Sequence, residues 1–128
     1  MPITFHPKPG MVLICDYSTG FVPPEMVKKR RVVVISPYQF NKRGICTVVP
    51  LSTTTPQSIE VFHYKISAGN YRFLSQFDDT WVKTDMLATV SLRRLDRIRV
   101  DQHFLAPSLN EHDIKQIKQS VRNFLDLQ

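Results

Sequence analysis

The densest chemistry in this 128-residue chain lies in two short clusters: four bases in a row, Lys28-Lys29-Arg30-Arg31, and a run of hydroxyls, Ser52-Thr53-Thr54-Thr55. Together they suit a phosphate. An arginine offers a forked set of donors and a permanent charge that can hold charge developing on phosphorus, and hydroxyls add further hydrogen bonds. Carboxylates that could take a proton stand nearby in sequence: Glu25 upstream of the bases, and Asp85 two residues after Lys83. Cleavage of RNA by its own 2′-hydroxyl needs such a set, with a base for the hydroxyl proton, an acid for the leaving oxygen and donors for the phosphate charge. Each residue also has a plainer reading. Residues 28–31 read as a solvated cluster, 52–55 as a polar turn, Asp85 as a turn cap, Glu25 as a loop acid in water, and His63 and Trp81 as structural side chains.

Two strands must position these clusters. Arg30-Arg31-Val32-Val33-Val34-Ile35-Ser36-Pro37 and Ile45-Cys46-Thr47-Val48-Val49-Pro50-Leu51-Ser52-Thr53-Thr54 are rich in β-branched residues and apolar on both faces, as buried strands are. Residues 38–44 read as the loop between them, with Gly44 free to take a positive φ. A parallel crossover needs a longer linker, so the pair is antiparallel. Arg30 and Ser52 should then be neighbours at one edge of the sheet.

The rest of the chain reads as short strands over 11–17, 59–64, 81–85, 88–92 and 95–100, with long loops over 18–29 and 67–80. Ser108 and Glu111 have capping-box spacing, and Leu109, Ile114, Ile117, Val121, Phe124 and Leu125 recur at helical intervals. One amphipathic helix over 109–126 should therefore pack on the sheet. The expected architecture is mostly β, a small antiparallel barrel with a C-terminal α-helix, in a single domain over residues 1–128. With 42% hydrophobic residues and no apolar run of membrane-spanning length, a packed core is expected and a membrane span is not. No basic-then-apolar leader opens the chain. Cys15 and Cys46 lie in apolar strand patterns and read as buried, reduced thiols of a cytoplasmic protein, although a disulfide depends on geometry that spacing does not reveal. No Cys/His spacing suggests a metal, and no cofactor is expected. The formal net charge of +6 favours a polyanionic partner, nucleic acid or acidic protein.

Taken together, Pro9-Gly10-Met11-Val12-Leu13-Ile14-Cys15-Asp16-Tyr17, Glu25 five residues before Arg30, Val32-Val33-Val34-Ile35-Ser36-Pro37, Val48-Val49-Pro50-Leu51-Ser52-Thr53 and the later Lys83-Thr84-Asp85-Met86 resemble the MazF/PemK family of toxin-antitoxin endoribonucleases. The resemblance implies an SH3-like barrel, a homodimer, and metal-independent cleavage of single-stranded RNA that leaves a cyclic phosphate. It also implies inhibition by a cognate acidic antitoxin. Arg30 and Ser52 match the family's catalytic arginine and Thr/Ser positions, and Glu25 matches a loop acid at the site. Lys83 and Asp85 match positions tied to RNA binding and catalysis, and Lys28, Lys29, Arg31 and Thr53 flank the core pair as RNA-binding candidates. The family has proline directly after its arginine, where this chain has Arg31, and residues 67–80 match no family motif. Two other classes compete: a non-enzymatic gyrase poison like CcdB, whose C-terminal tryptophan this chain lacks, and a barrel that binds RNA without cutting it.

Overall fold

The computed structural model describes residues 1–127. Its frame is three antiparallel strands: β1 (Val12–Asp16), β2 (Lys29–Val34) and β3 (Ile45–Ser52). β1 pairs β2 in the register Val12↔Val33 to Asp16↔Lys29, and β2 pairs β3 through Val32↔Pro50, Val33↔Val49 and Val34↔Val48. The two β-branched runs are thus central strands, buried on both faces. On one face Val12, Val33, Val49 and Leu51 join Val82, Ile98, Leu109 and Ile117; on the other Leu13, Cys15, Val32, Val34, Cys46 and Val48 join Tyr17, Val90 and Leu95. Cys15 and Cys46 are free thiols in that second cluster, and burial pushes them up to about 11 and about 12.

Strand β3 has β2 on one side and two strands in succession on the other. Its first half pairs β6 (Ala88–Ser91), and its last residues pair β5 (Thr80–Lys83). Pro50, which has no N–H to donate, falls between the two pairings, where the missing ladder bond costs nothing on that side. β4 (His63–Ile66) extends the sheet beyond β5, and β7 (Leu95–Asp96) pairs β1 at the opposite edge. Among the described residues no pairing joins β4 to β7, so the barrel-like sheet stays open.

Several local expectations are revised. The linker 38–44 contains a helical turn, α1 (Tyr38–Asn41), held because buried Asn41 donates to the carbonyls of Pro7 (2.8 Å) and Ser36 (3.1 Å). Residues 59–62 are not strand: Glu60 and His63 close a turn through reciprocal bonds of 3.0 Å, and pairing begins at His63. Residues 95–100 divide into β7 and β8 (Ile98–Val100), which forms a separate hairpin with β9 (His103–Leu105).

The terminal helix α2 (Glu111–Phe124) is capped by Asn110, whose side chain accepts the Asp113 N–H at 2.8 Å, and not by Ser108. The cap lies two residues later because the Ser108 backbone bridges to Met11 and keeps the chain extended there. Leu125 ends outside the helix and stays exposed. The buried face instead includes Asp113, which accepts hydrogen bonds from Tyr64 (2.5 Å) and from Tyr71. Gly10 (φ +91°) lets the lead-in pass beneath this helix: a Cβ there would stand 2.4 Å from Ile114 Cδ1.

Candidate active-site cleft

The β2–β3 pairing runs from Val34↔Val48 to Val32↔Pro50, and Arg30 and Ser52 lie just beyond it at the same end of the two strands. Both residues line a cleft of about 540 Å³ with Lys29, Arg31, Leu51, Thr53, Thr54, Leu74, Ser75 and Thr80. Every charged residue in that lining is a cation, and five hydroxyls, those of Ser52, Thr53, Thr54, Ser75 and Thr80, stand around them. Such a site suits an anion that can take a bidentate donor and several O–H bonds.

The two arginines differ in their surroundings. Strand alternation puts Arg30 on the face of Val32 and Arg31 on that of Val33. Arg30 is exposed and makes no hydrogen bond or ion pair among the described residues. Arg31 is half-buried and donates from Nη1 to the Phe73 carbonyl at 2.7 Å, which binds it to the 67–79 loop. Ser52 Oγ accepts the Thr54 N–H at 3.1 Å and keeps its own proton free to donate. Lys28 is exposed just before β2 and does not line the cleft.

Glu25 and Asp85 occupy a different place. They line a second cleft of about 470 Å³ with Tyr17, Phe21, Pro24, Met26, Met86, Leu87 and Ala88. Glu25 accepts the Val22 N–H at 2.8 Å, which closes a turn in the 18–28 loop. Asp85 Oδ1 is 4.0 Å from His63 Nε2, while His63 Nδ1 accepts the Glu60 N–H, so this histidine is committed to structure. The Tyr17 hydroxyl is buried beside this cleft with no hydrogen-bond partner, and burial raises its pKa strongly. Lys83 lies on β5 two residues from Trp81, which pairs Ser52, so Lys83 shares the Ser52 face one pleat further on. Trp81 itself is only 7% exposed and belongs to the packed interior.

Sequence reasoning did not assign the 67–79 loop to the cleft. Leu74 and Ser75 form one wall, and the Phe73 carbonyl holds Arg31. No periodicity or motif marks these residues, because they reach the cleft through a tertiary fold-back. Among the described residues, no group of three His, Cys, Asp or Glu side chains could hold a metal ion, and no helix is long and apolar enough to cross a membrane.

An open antiparallel sheet backed by a C-terminal helix matches the fold of MazF structures. The structure superposes on MazF from Deinococcus radiodurans with a TM-score of 0.71 at 15% identity, covering 96% of this chain and 99% of that one. It superposes on an endoribonuclease bound to its cognate antitoxin from a Mycobacterial species with a TM-score of 0.66 at 19% identity, covering 95% and 97%. In sequence it is 34% identical to the protein YifN of Escherichia coli (strain K12), over 94% of this chain and 93% of YifN. Residues 8–125 match the PemK-like, MazF-like toxins of type II toxin-antitoxin systems, and the chain belongs to that family.

Proposed function

We propose that the protein is the toxin of a type II toxin-antitoxin pair and acts as an endoribonuclease on single-stranded RNA in the cytoplasm, without a metal. The observation that carries this reading is that Arg30 and Ser52 line one cleft whose charged lining is entirely cationic. In this reading the scissile phosphate lies between them. The 2′-oxygen loses its proton, attacks phosphorus and forms a 2′,3′-cyclic phosphate as the P–O5′ bond breaks, and the leaving 5′-oxygen takes a proton from water. Arg30 supplies paired donors to the phosphate oxygens as charge builds, and the Ser52 hydroxyl adds a third. The guanidinium stays charged throughout, because its reference pKa is too high for a proton shuttle. Glu25 is assigned as the base that receives the 2′-hydroxyl proton; because it lines the second cleft, that step requires the 18–28 loop to carry it to the phosphate. Lys29, Arg31 and Thr53 would bind the flanking backbone from within the cleft, with Lys28 and Lys83 beside it, while Asp85, a carboxylate in the second cleft, would meet a base and not a phosphate. A homodimer and an acidic antitoxin that competes for the cleft complete the reading.

The test is incubation with single-stranded RNA in EDTA. Wild-type protein should yield discrete fragments ending in a cyclic phosphate. Arg30→Ala should lose about a hundredfold or more in rate, the usual cost of one such donor, and its thermal midpoint should not move, since Arg30 is exposed. Glu25→Gln should lose about a hundredfold in kcat and flatten the acid limb of the pH-rate profile. Retained RNA with no fragments would instead assign a binding barrel that does not cut, and activity that appears only with added magnesium would overturn the metal-free route.

A further inference from the structure

The 67–79 loop forms a wall of the cleft, and it is held in one conformation by its own hydrogen bonds. Gln76 Nε2 donates to the carbonyls of Tyr71 (2.7 Å) and Leu74 (2.9 Å). Ser75 Oγ accepts the N–H groups of Phe77 (3.2 Å) and Asp78 (2.9 Å), and Asp79 accepts the Ala68 N–H at 2.9 Å. Tyr71 anchors the base of the loop by donating to buried Asp113 of α2, and Arg31 clamps it from β2. A segment fixed this firmly nevertheless projects Phe77 almost wholly into water, 93% exposed.

The position of this ring indicates its ligand. Ser75 lines the cationic cleft, and two peptide steps carry the chain no more than about 8 Å, so Phe77 stands at the cleft rim. Asp78 is exposed beside it. A carboxylate repels phosphate, so a strand whose backbone follows Lys29 and Arg30 would turn a base, and not its backbone, toward Phe77. Unpaired bases stack on exposed aromatic rings, and every base offers a π face. We propose that Phe77 is a stacking platform for an unpaired base of a strand whose phosphate is bound at Arg30 and Ser52. The proposal takes the ligand, single-stranded RNA, from the function proposed above and adds a second point of contact that a duplex cannot use.

The experiment measures binding of a single-stranded 2′-O-methyl oligonucleotide, which cannot be cut through a 2′-oxygen, to wild type, Phe77→Ala and Phe77→Trp. Phe77→Ala should weaken binding roughly ten- to hundredfold, as loss of one base stack does. Phe77→Trp should keep wild-type affinity, and its fluorescence should be quenched by the single strand and not by a duplex of the same sequence; Trp81, buried, contributes a constant background. Thermal midpoints should match across the three proteins, because the ring contributes little to the core. Unchanged affinity in Phe77→Ala overturns the proposal. So does a change confined to oligomeric state on gel filtration, which would make Phe77 a contact between copies. A wild type that cuts RNA while Phe77→Ala binds normally removes only this inference. A wild type that binds but never cuts, with Phe77→Ala weakened, removes only the nuclease reading. A wild type that binds no single strand removes both.

Discussion

At the scale of single residues, neighbouring identical side chains acquire different roles from the two-residue period of a strand. Arg30 and Arg31 both line the cleft, but Arg30 stays free there while Arg31 is bound to the Phe73 carbonyl. Further along the Arg30 face, Cys15, the β1 partner of Arg30, is buried with Val32 and Cys46. Its thiol rises from an ordinary 9.0 to about 11, first through desolvation, and that of Cys46 rises to about 12 for the same reason. Below pH 9 both thiols are protonated folded and unfolded, and their full contribution to stability is present. Above pH 9 the unfolded chain releases protons that the folded chain retains, so stability falls as pH climbs toward 11 and 12. Denaturant midpoints at pH 8 and pH 10.5 should therefore differ more in wild type than in Cys15→Ala. A thiol reagent at pH 8 should leave both cysteines unmodified until denaturant is added.

At the scale of elements, the helix cap shows how a local signal yields to tertiary pairing. Ser108 and Glu111 have the right spacing, but the bridge from Ser108 to Met11 and the Leu109 N–H bond to the Gly10 carbonyl (2.9 Å) hold that stretch extended. Asn110 caps the helix instead. Asn110→Ala should cost about 1 kcal/mol in urea unfolding, whereas Ser108→Ala should cost close to nothing. The opposite order would restore Ser108 as the cap. The same helix end carries Asp113, which gathers the Tyr64 and Tyr71 hydroxyls and so couples α2 to the loop that walls the cleft. Burial, with the Asp113 carboxylate next, pushes the Tyr71 hydroxyl up to about 12.

At the scale of the molecule, the +6 charge is distributed unevenly. The cleft at the β2–β3 edge contains Lys29, Arg30 and Arg31 and no carboxylate, while Glu25 and Asp85 gather in the second cleft. RNA and an acidic peptide should therefore compete for the first surface, and both should weaken with salt. Each phosphate neutralised on a single strand adds about 0.7 to the slope of log affinity against log salt. Arg30→Ala should thus lower the wild-type slope by about 0.7, measured by fluorescence anisotropy on an uncut strand. RNA affinity unaffected by saturating acidic peptide would place the inhibitor's site elsewhere.

Composition and pattern alone determined that the chain is mostly β with a terminal helix, that the runs within 30–37 and 45–54 hold the antiparallel central strands β2 and β3, and that Arg30 and Ser52 fall at the same end of that pair. Those features follow from β-branched runs apolar on both faces and from a linker too short for a crossover, both local properties of the chain. Tertiary structure alone decided which arginine stays free, because that depends on a carbonyl 42 residues away. It placed Glu25 and Asp85 in their own cleft, left the sheet open between β4 and β7, and moved the helix cap to Asn110. It also brought the 67–79 loop to the cleft rim, through contacts to Asp113 and Arg31 that are distant in sequence and follow no repeating spacing.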